Sequence, residues 1–408
     1  MKVLQINTTY LEGSTGKIVF HLMNLLRNTE QSDCHIYYGY FRKHLKDRRA
    51  KCIQSHKRYL FENFLSRILG NEGRTNYLTT KRLLLDKDFF SGDLIHLHNL
   101  HGHYINVNLL FSYIKRKNIP VVWTLHDCWA FTGHCPHFTM VDCDKWKTGC
   151  YKCPQYREYP WSLFDSSKKM YRLKKQWFTG VKDMTIVTPS QWLAGLVKQS
   201  FLKDYPVKVI NNGIDLSVFK PMESDFREKH GIRKSDFVLL GVAFGWSTKK
   251  GLDVFIQLAK KLPQNYRIIL VGTDDKTDKL LPKSIISIHR TQNQTELAEI
   301  YTAADIFVNP TREDNYPTVN MEAIACGTPV ISFDTGGSPE CIDETCGAVV
   351  PCDDVEALEK EILRACEQKI YTREDCVKKA KAFDQNEKYK EYISLYKELY
   401  DRTAKSGI

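Results

Sequence analysis

Two lysines in the second half of this 408-residue chain have the type and spacing expected of a site for an anionic ligand. A strand predicted over residues 237–243 runs into Phe244-Gly245-Trp246-Ser247-Thr248-Lys249-Lys250-Gly251 and then into a helix. Open parallel sheets bind ligands outside the carboxyl ends of their strands. The sequence therefore places the ammonium groups of Lys249 and Lys250 where a phosphorylated ligand would bind.

A second loop of the same half carries two carboxylates. A strand predicted over residues 305–309 leads to a helix that begins near Thr318, so the backbone amides after Pro317 can hold a phosphate. Asp314 and Glu322 are eight positions apart, and ionised carboxylates are strong acceptors for sugar and ribose hydroxyls. The alternative for each is a solvated loop or helix-start carboxylate.

The first half offers a weaker signal for anion binding. A strand over residues 2–7 leads through Gly13-Ser14-Thr15-Gly16 into a helix, so amides and a helix N-terminus can face an anion. The stretch lacks the full GxGxxG spacing and the lysine of a Walker loop, which argues against dinucleotide binding and P-loop hydrolysis. A plain strand-to-helix turn is the alternative.

The elements that must position these residues alternate between short β-branched runs and longer amphipathic segments, a pattern typical of parallel sheets wrapped by helices. The first half predicts strands at 2–7, 35–40, 93–98, 121–125 and 185–188. The second predicts them at 237–243, 267–272, 285–289, 305–309 and 330–333. Helices are predicted at 17–27, 252–262 and 294–304, and a final amphipathic segment, Glu387 to Tyr400, belongs to neither sheet.

Composition is that of a globular protein, with 42% hydrophobic and 26% charged residues. The N-terminus lacks the apolar core of a secretory signal, so we expect a cytoplasmic protein of two or three domains. Residues 1–200 contain 30 Lys and Arg against 15 Asp and Glu, whereas residues 201–408 contain 29 against 33. A basic first half could attract nucleic acid, anionic lipid or a pyrophosphate, although solvated surface charge is the alternative.

Several motifs occur in a recognisable order. They are Gly13 to Gly16, Thr124-Leu125-His126-Asp127, Asn212-Gly213-Ile214-Asp215, Lys250-Gly251, Asp314 to Glu322, Ala325-Cys326-Gly327-Thr328-Pro329-Val330-Ile331 and Gly336-Gly337-Ser338-Pro339-Glu340. Together they resemble glycosyltransferase family 4 (glycosyl transferases group 1), whose members are retaining enzymes of the GT-B fold. The resemblance runs nearly end to end.

This resemblance implies an α/β protein of GT-B fold, with two doubly wound Rossmann-like domains facing across a cleft. It implies an acceptor-side domain over residues 1–214, with a Cys-rich excursion at 128–154, and a nucleotide-sugar domain over 215–384. Residues 385–408 would form a helix that crosses back to the N-terminal domain.

The resemblance also implies roles for particular residues. His126, Lys250 and Asp314 would be catalytic. The donor site would contain Gly16, Lys249, Lys250, Asn315, Tyr316, Pro317, Thr318, Val319 and Glu322. Two departures matter: Asp314 stands where the family usually has Glu, and Gly245 stands where an Arg commonly precedes the Lys by five positions.

The implied reaction moves a sugar from a nucleotide donor to a glycan or lipid-linked acceptor, as in cell-surface polysaccharide assembly. Lysines and helix amides that hold the departing diphosphate would stabilise the transition state without a required metal cofactor. The alternative is a nucleotide-sugar or polyanion-binding protein that kept the fold and lost turnover. No nucleic-acid partner is expected, because no recognised RNA or DNA module occurs.

Four histidines, His96, His98, His101 and His103, have the spacing of a metal site. His96 and His98 end a strand, however, while the other two follow in a loop, and metal-binding histidines usually come with carboxylate or Cys partners. We therefore expect these residues to form a wall of the acceptor cleft.

A basic and apolar stretch suggests contact with an anionic membrane at the inner face. The basic residues are Arg42, Lys43, Lys46, Arg48, Arg49, Lys57 and Arg58, and the apolar residues that follow are Tyr59-Leu60-Phe61, Phe64-Leu65 and Ile68-Leu69. Such a sequence suits a peripheral helix. The alternative, which the sequence slightly favours, is a core stripe that packs on the sheet.

Four cysteines, Cys135, Cys143, Cys150 and Cys153, are crowded into a polar stretch that can hardly bury a core of its own. The last two form a Cys-x-x-Cys pair, which favours chelation. A structural Zn²⁺ is the expected staple, with disulfides, an iron–sulfur cluster or free packed thiols as alternatives. Cys128, His134 and His137 could substitute as ligands.

Overall fold

The computed structural model describes residues 1–30, 32–40 and 47–405. The chain forms two compact units. Unit 1 comprises residues 1–210 together with the chain from Tyr389 onward, and unit 2 comprises residues 211–388. Among the described residues, no helix is both long and apolar enough to span a bilayer.

Unit 1 contains a parallel sheet of seven strands in the order β3-β2-β1-β4-β5-β6-β7. The strands are β1 (Lys2–Thr9), β2 (Asp33–Tyr40), β3 (Ala50–Cys52), β4 (Leu94–Leu97), β5 (Val121–Thr124), β6 (Met184–Thr188) and β7 (Val207–Val209). Its helices are α1 (Gly13–Glu30), α2 (His56–Leu69), α3 (Tyr77–Leu84), α4 (Lys87–Phe90), α5 (Val107–Lys117), α6 (Ser167–Phe178) and α7 (Gln191–Val197).

Unit 2 contains a parallel sheet of six strands in the order β10-β9-β8-β11-β12-β13. The strands are β8 (Phe237–Val242), β9 (Tyr266–Val271), β10 (Ile285–Ile288), β11 (Ile306–Asn309), β12 (Val330–Phe333) and β13 (Gly347–Val350). Its helices are α8 (Phe226–Lys229), α9 (Leu252–Lys261), α10 (Asp275–Asp278), α11 (Gln294–Ala303), α12 (Thr318–Ala325), α13 (Val355–Gln368) and α14 (Arg373–Ala380).

The last helix, α15 (Gln385–Lys405), is longer than the predicted segment. Six of its apolar residues are buried in a core with Val3 and Leu22 of unit 1: Tyr389, Tyr392, Ile393, Leu395, Tyr396 and Leu399. The Tyr392 hydroxyl accepts a hydrogen bond from the Thr124 hydroxyl at 3.1 Å. The tyrosines at helical spacing thus fix α15 to the first unit.

The prediction of two doubly wound α/β units is confirmed, and three strands were missed. All three, β3, β7 and β13, lie at the edges of the sheets. Edge strands are short and carry polar residues, as Lys51 and Lys208 do here, because one side of their backbone remains unpaired. β3 and β7 thus lack the apolar run that identifies a central strand, whereas β13 is apolar but only four residues long.

Both sheets change the direction of strand order at one point. In unit 1 the change lies between β1 and β4, and in unit 2 it lies between β8 and β11. The loops that leave neighbouring strands at such a point diverge to opposite faces of the sheet and leave a crevice at the carboxyl edge. This crevice is where each unit would bind a ligand.

Candidate functional site

The switch point of unit 2 brings the two predicted loops together. The Lys250 ammonium nitrogen lies 2.7 Å from a carboxylate oxygen of Asp314, and the Lys249 ammonium lies 3.0 Å from the carboxylate of Glu313. Because β8 and β11 are parallel neighbours, the loops after both strands meet at the same edge of the sheet. The structure therefore places both lysines beside the Asp314 loop.

The lysines occupy a short 3₁₀ turn, Thr248–Lys250, that ends at Gly251. Gly251 has a positive φ of 75°, and a Cβ at this position would overlap the backbone of Pro310. A second link is the Arg312 backbone N–H, which donates to the carbonyl oxygen of Lys249 at 2.9 Å. Glycine thus allows the close approach that fixes the two loops together.

Arg312 is a residue of this site that the sequence analysis missed. Its guanidinium donates two hydrogen bonds of 2.8 Å to the Asp253 carboxylate and one of 2.6 Å to Asp353. The hydrogen bonds from Arg312 lower the pKa of the Asp253 carboxyl. A lone arginine in a loop sequence does not indicate which distant carboxylates it will bind.

The glycine pair Gly336-Gly337 supports the Asp314 loop from the other side. Gly336 has a positive φ of 58°, and a Cβ there would overlap the Asp314 carbonyl oxygen. The Gly337 backbone N–H donates to the same oxygen at 3.4 Å. Close packing of backbone on backbone therefore holds Asp314 in place.

Helix α12 begins at Thr318, as the sequence predicts, with Pro317 at its N-cap. A buried polar network fixes this end: the Asn309 side-chain amide donates to the side-chain Oδ1 of Asn320 at 2.7 Å, and the Asn320 side-chain amide donates to the Ser338 hydroxyl at 3.1 Å. The network ties the helix to the ends of β11 and β12. The free backbone amides of its first turn are consequently rigid donors.

The remaining predicted donor-site residues differ in exposure. Asn315, Tyr316 and Pro317 are buried, whereas Thr318 and Val319 are half-buried. Glu322 is also half-buried, and one of its carboxylate oxygens accepts a hydrogen bond from the Tyr301 hydroxyl at 3.1 Å. The three buried residues therefore shape the loop, whereas the half-buried Thr318, Val319 and Glu322 can contact a ligand.

Unit 1 places His126, which follows β5, next to the buried imidazole of His98, which follows β4 at the switch point of this sheet. The Nε2 atom of His126 lies 3.1 Å from Nδ1 of His98, and Nε2 of His98 lies 3.3 Å from the side-chain oxygen of Gln5. Burial lowers the pKa of His126 to about 4 and holds the pKa of His98 well below its usual range. Both rings are therefore neutral near pH 7 and can offer hydrogen bonds without charge.

A second hydrogen-bonded network lies beside His126. His101 Nε2 lies 2.8 Å from an Asp127 carboxylate oxygen, and His101 Nδ1 lies 3.0 Å from the Tyr159 hydroxyl. Burial opposes the charge on His101, but the Asp127 carboxylate prevails and raises the pKa of the imidazole. Although burial acts in the opposite direction, His101 and its neighbours lower the pKa of Asp127 to about 2. This part of unit 1 holds an ion pair, whereas His126 does not carry charge.

The four predicted cleft histidines do not form a metal site among the described residues, because they have different partners. Besides the contacts above, His96 Nε2 lies 2.8 Å from the Thr124 hydroxyl. His103 Nδ1 lies 3.4 Å from the Glu72 carboxylate. Within the described part of the chain, three or more metal-ligand atoms come within 4.8 Å of one another at Asp275, Asp278 and His289, which are exposed.

Gly16 lies in the first turn of α1, in unit 1. A Cβ at this position would lie 3.0 Å from the Thr9 hydroxyl and 3.1 Å from the Leu11 backbone nitrogen. The Leu11 N–H donates to the Gly16 carbonyl oxygen at 3.1 Å. The tight turn explains why glycine is present, and the role of Gly16 in donor binding stays a prediction.

The predicted cysteine ligands surround one cavity. Cys135, Cys143, Cys150 and Cys153 all line it, together with His134 and Trp146. Cys135 is buried, and the other three cysteines are partly buried. These four cysteines therefore lie around one cavity, as the sequence predicts. Metal binding by them stays a prediction.

The stretch proposed for membrane contact has an unexpected orientation. Arg42, Lys43 and Lys46 lie outside the described residues. Within α2, the buried side chains are Glu62 and Ser66, whereas Phe61 is 60% exposed and Phe64 is 63% exposed. The alternative that this stripe packs on the sheet is therefore wrong.

Comparison with known proteins relates both units to one class of enzyme. Residues 21–218 match the model described as Glycosyltransferase Family 4, and residues 222–383 match the model described as Glycosyl transferases group 1. A protein of Escherichia coli K12 named as a colanic acid biosynthesis glycosyl transferase, WcaC, is 26% identical, with 98% of this chain and all of that protein covered. The D-inositol 3-phosphate glycosyltransferase of Mycobacteroides abscessus is 29% identical over 36% of this chain and 35% of its own length.

Solved structures show that the fold is GT-B. Sucrose-phosphate synthase from Thermosynechococcus elongatus matches with a TM-score of 0.72 at 17% identity, covering 98% of this chain and all of that one. HepE from Anabaena, solved with UDP, matches with a TM-score of 0.68 at 16% identity and the same coverage. WaaG, described as a glycosyltransferase involved in lipopolysaccharide biosynthesis, matches with a TM-score of 0.65 at 17% identity, covering 96% of this chain and 99% of that one.

Proposed function

Because this chain belongs to the glycosyltransferases that these two family models describe, we propose that it is a retaining enzyme of cell-surface polysaccharide biosynthesis. It would move a sugar from a nucleotide-sugar donor to a glycan or lipid-linked acceptor. The observation that carries this proposal is the pairing of Lys250 with Asp314, 2.7 Å apart at the switch point of unit 2, where Asp314 lies on the loop that leads to the N-terminus of α12.

The arrangement of charges suits departure of a nucleoside diphosphate. Breaking the bond between sugar and diphosphate builds negative charge on the phosphate. Lys249, Lys250 and the first amides of α12 are fixed donors for that charge, so they would stabilise the transition state more than the ground state. Asp314 and Glu322 would accept hydrogen bonds from hydroxyls of the donor sugar and the ribose.

His126 would act by hydrogen bonding. Its buried imidazole, with a pKa lowered to about 4, is neutral at working pH and can bind a sugar hydroxyl without adding charge. The absence of a required protein nucleophile in this scheme is consistent with front-side attack guided by the leaving phosphate. Retention of the anomeric configuration is therefore part of the proposal.

The relatives support the substrate class. WcaC is named for colanic acid biosynthesis and WaaG for lipopolysaccharide biosynthesis, and HepE has been solved with UDP and with UDP-glucose. We therefore expect a uridine diphosphate sugar to be the first donor class to test. Purified protein screened against a panel of nucleotide sugars should show thermal stabilisation and slow hydrolysis for one donor. Absence of both effects across uridine, guanosine and adenosine diphosphate sugars would contradict the proposal.

A binding protein without turnover is the second candidate, and a specific observation favours it. Gly245 replaces the arginine of the family, and the Arg312 guanidinium is held by Asp253 and Asp353 and so does not take its place. Neutralisation of a diphosphate then depends on Lys249 and Lys250. Stabilisation by a nucleotide sugar without hydrolysis, and without transfer to any offered acceptor, would identify this candidate.

We further propose that unit 1 meets its acceptor at the inner face of a membrane, through an exposed apolar face on α2. Helix α2 buries Glu62, which accepts hydrogen bonds from Arg58 at 2.8 Å and from the Asn76 backbone at 3.1 Å. Because the polar side chains lie on the buried face of α2, Phe61 and Phe64 face solvent. An exposed apolar face of this kind needs a partner.

This face continues beyond α2. The Leu163 backbone N–H donates to the Arg67 carbonyl oxygen at 2.8 Å, and the Ser166 hydroxyl donates to the Leu69 carbonyl oxygen at 3.1 Å. These bonds attach the loop 159–164 to the end of α2. Its exposed apolar side chains are Tyr159, Trp161, Leu163 and Phe164.

Charge indicates that the partner is an anionic bilayer. Exposed basic residues lie on α2 and in the chain that follows it through α3: Lys57, Arg67, Arg74, Lys81 and Arg82. Each Lys or Arg near an anionic membrane surface contributes about 1 kcal/mol. Flotation with vesicles should show binding to phosphatidylglycerol-containing but not to neutral vesicles.

The same flotation assay has a matched pair of variants. Phe61→Ser with Phe64→Ser should abolish binding, whereas Leu280→Ser, at a site 63% exposed in unit 2, should not. Equal binding to both vesicle types, no binding to either, or no effect of the double variant would refute membrane contact by this face.

A further inference from the structure

The chain between β5 and α6 contains little regular secondary structure. Within residues 125–166 the described elements are three 3₁₀ turns: Trp129–Phe131, Thr139–Val141 and Lys145–Lys147. Ordering this much irregular backbone costs about 1 to 2 kcal/mol per residue in conformational entropy. Side chains within the segment must offset that cost.

Four thiols converge in this segment beside the buried rings of Phe138 and Trp146, so the stretch that the sequence suggested could hardly bury a core does contribute to one. Cys135, Cys143, Cys150 and Cys153 line one cavity, and the thiols of Cys135 and Cys153 are hydrogen-bonded to each other. The Gly133 backbone N–H donates to the sulfur of Cys150 at 3.1 Å. This bond fixes the sulfur of Cys150 at the wall of the cavity.

A buried histidine nitrogen also indicates that a ligand belongs in this cavity. His134 lines it and is 8% exposed, and its Nε2 atom has no hydrogen-bond partner among the described residues. Buried polar atoms are nearly always satisfied. A metal–thiolate cluster beside His134 would supply an acceptor or a coordination site.

Positive charge lies where a metal–thiolate cluster would need it. Lys174 is 1% exposed, and its ammonium donates to the Trp129 carbonyl oxygen at 2.7 Å. Its electrostatic partners include Glu72 and the thiols of Cys150 and Cys135. A second lysine, Lys145, lines the cavity itself. Four thiolates around one divalent ion carry two net negative charges, and the Lys145 ammonium at the cavity offsets part of this charge.

We propose that Cys135, Cys143, Cys150 and Cys153 bind one structural Zn²⁺ in unit 1. Four sulfur ligands complete the tetrahedral coordination that zinc prefers and leave no open position for a substrate, so the ion holds structure and performs no chemistry. The sulfurs are gathered but not yet at ligation distance, since among the described residues no three of them lie within 4.8 Å of one another.

The ion would position the buried network next to His126. The Trp129 backbone N–H donates to the Asp127 carboxylate at 2.8 Å, and the Trp129 ring centroid lies 3.4 Å from the Lys174 ammonium. Tyr159, which contacts His101, follows the last cysteine by six residues. Loss of zinc would therefore loosen the Asp127–His101–Tyr159 arrangement from both sides.

The first test is elemental analysis of the full chain, purified without a metal-affinity tag. We expect close to one equivalent of zinc, and Co²⁺ substitution should give the intense absorption bands of a tetrahedral tetrathiolate site. Titration with a mercurial reagent should release the zinc in step with modification of four thiols. These measurements use wild-type protein, so they stand even where a variant fails to fold.

Variants then assign the ligands. Cys143→Ser and Cys153→Ser should each lower the zinc content severalfold and lower the melting temperature, whereas Cys352→Ser, at an exposed cysteine of unit 2, should change neither. Four results overturn the proposal: less than a tenth of an equivalent of zinc, iron with acid-labile sulfide, a mass that shows disulfides in freshly isolated protein, or full zinc content in both variants. None of these depends on glycosyl transfer, so the zinc site and the proposed function can fail separately.

Discussion

Replacement of Lys250 by alanine tests the donor site most directly. The Lys250 side chain is 38% exposed, and its partner Asp314 is 22% exposed. A charge-assisted hydrogen bond to a desolvated phosphate is worth about 1.5 to 3 kcal/mol, and the exposure of the ammonium places its loss in the lower half of that range. We therefore expect kcat/KM for sugar transfer to fall roughly tenfold to fiftyfold.

Unit 2 contains a matched control for this substitution. Lys261 pairs with Glu359 at 3.1 Å, and the two side chains are 41% and 23% exposed, close to the values for Lys250 and Asp314. Lys261 lies at the end of α9, away from the switch point. Lys261→Ala should cost the same ion pair without changing transfer. Equal rates in the Lys250→Ala and Lys261→Ala variants would refute the assignment of Lys250.

The Asp314→Asn variant distinguishes the role of Asp314 from that of Lys250. Removing this carboxylate frees the Lys250 ammonium and removes a negative charge next to the proposed diphosphate. Binding of a nucleoside diphosphate, measured by calorimetry, should be unchanged or tighter, while sugar transfer should fall at least tenfold. If Asp314→Asn instead weakens diphosphate binding as much as Lys250→Ala does, the pair only holds the loops together, and the separate roles are wrong.

Three further outcomes follow from other contacts. Glu322→Gln should raise KM for the donor severalfold, because an amide is a weaker acceptor for ribose hydroxyls than a carboxylate; an unchanged KM would remove Glu322 from the site. Gly336→Ala should lower the melting temperature and transfer together, since its Cβ would overlap the Asp314 carbonyl oxygen at a φ of 58°; a variant with wild-type stability would contradict this packing. The ion pair of His101, whose pKa is raised, with Asp127 stabilises the fold below the raised pKa of the imidazole and loses this effect as pH increases through it. The melting temperature of the wild type should therefore exceed that of Asp127→Asn most near pH 6 and least near pH 9, and a constant difference would be inconsistent with a charged His101.

The residues that were predictable share one property: they follow central strands. Lys250 and Asp314 come after runs of apolar residues that identify β8 and β11, and parallel neighbours bring their loops to one edge. Arg312 and Tyr159 could not be predicted, because their partners are distant in the sequence and no periodicity marks such pairs. Helix α2 misled because apolar spacing is the same for a stripe that faces a core and one that faces solvent.

The two units share a sheet topology but differ in the charge of the side chains at the carboxyl edge of the sheet. At the switch point of unit 2, Lys250 and Asp314 remain partly exposed, so their charges are available to a ligand that carries a diphosphate. Beside the switch point of unit 1, burial keeps His126, which follows β5, neutral, and charge is confined to the pair of His101 with Asp127. If unit 1 binds a sugar acceptor as proposed, that ligand has hydroxyls and no phosphate at its reacting end, so neutral donors and acceptors suit it better than fixed charge. This division would account for why lysines lie at the carboxyl edge of one sheet and a neutral histidine at that of the other.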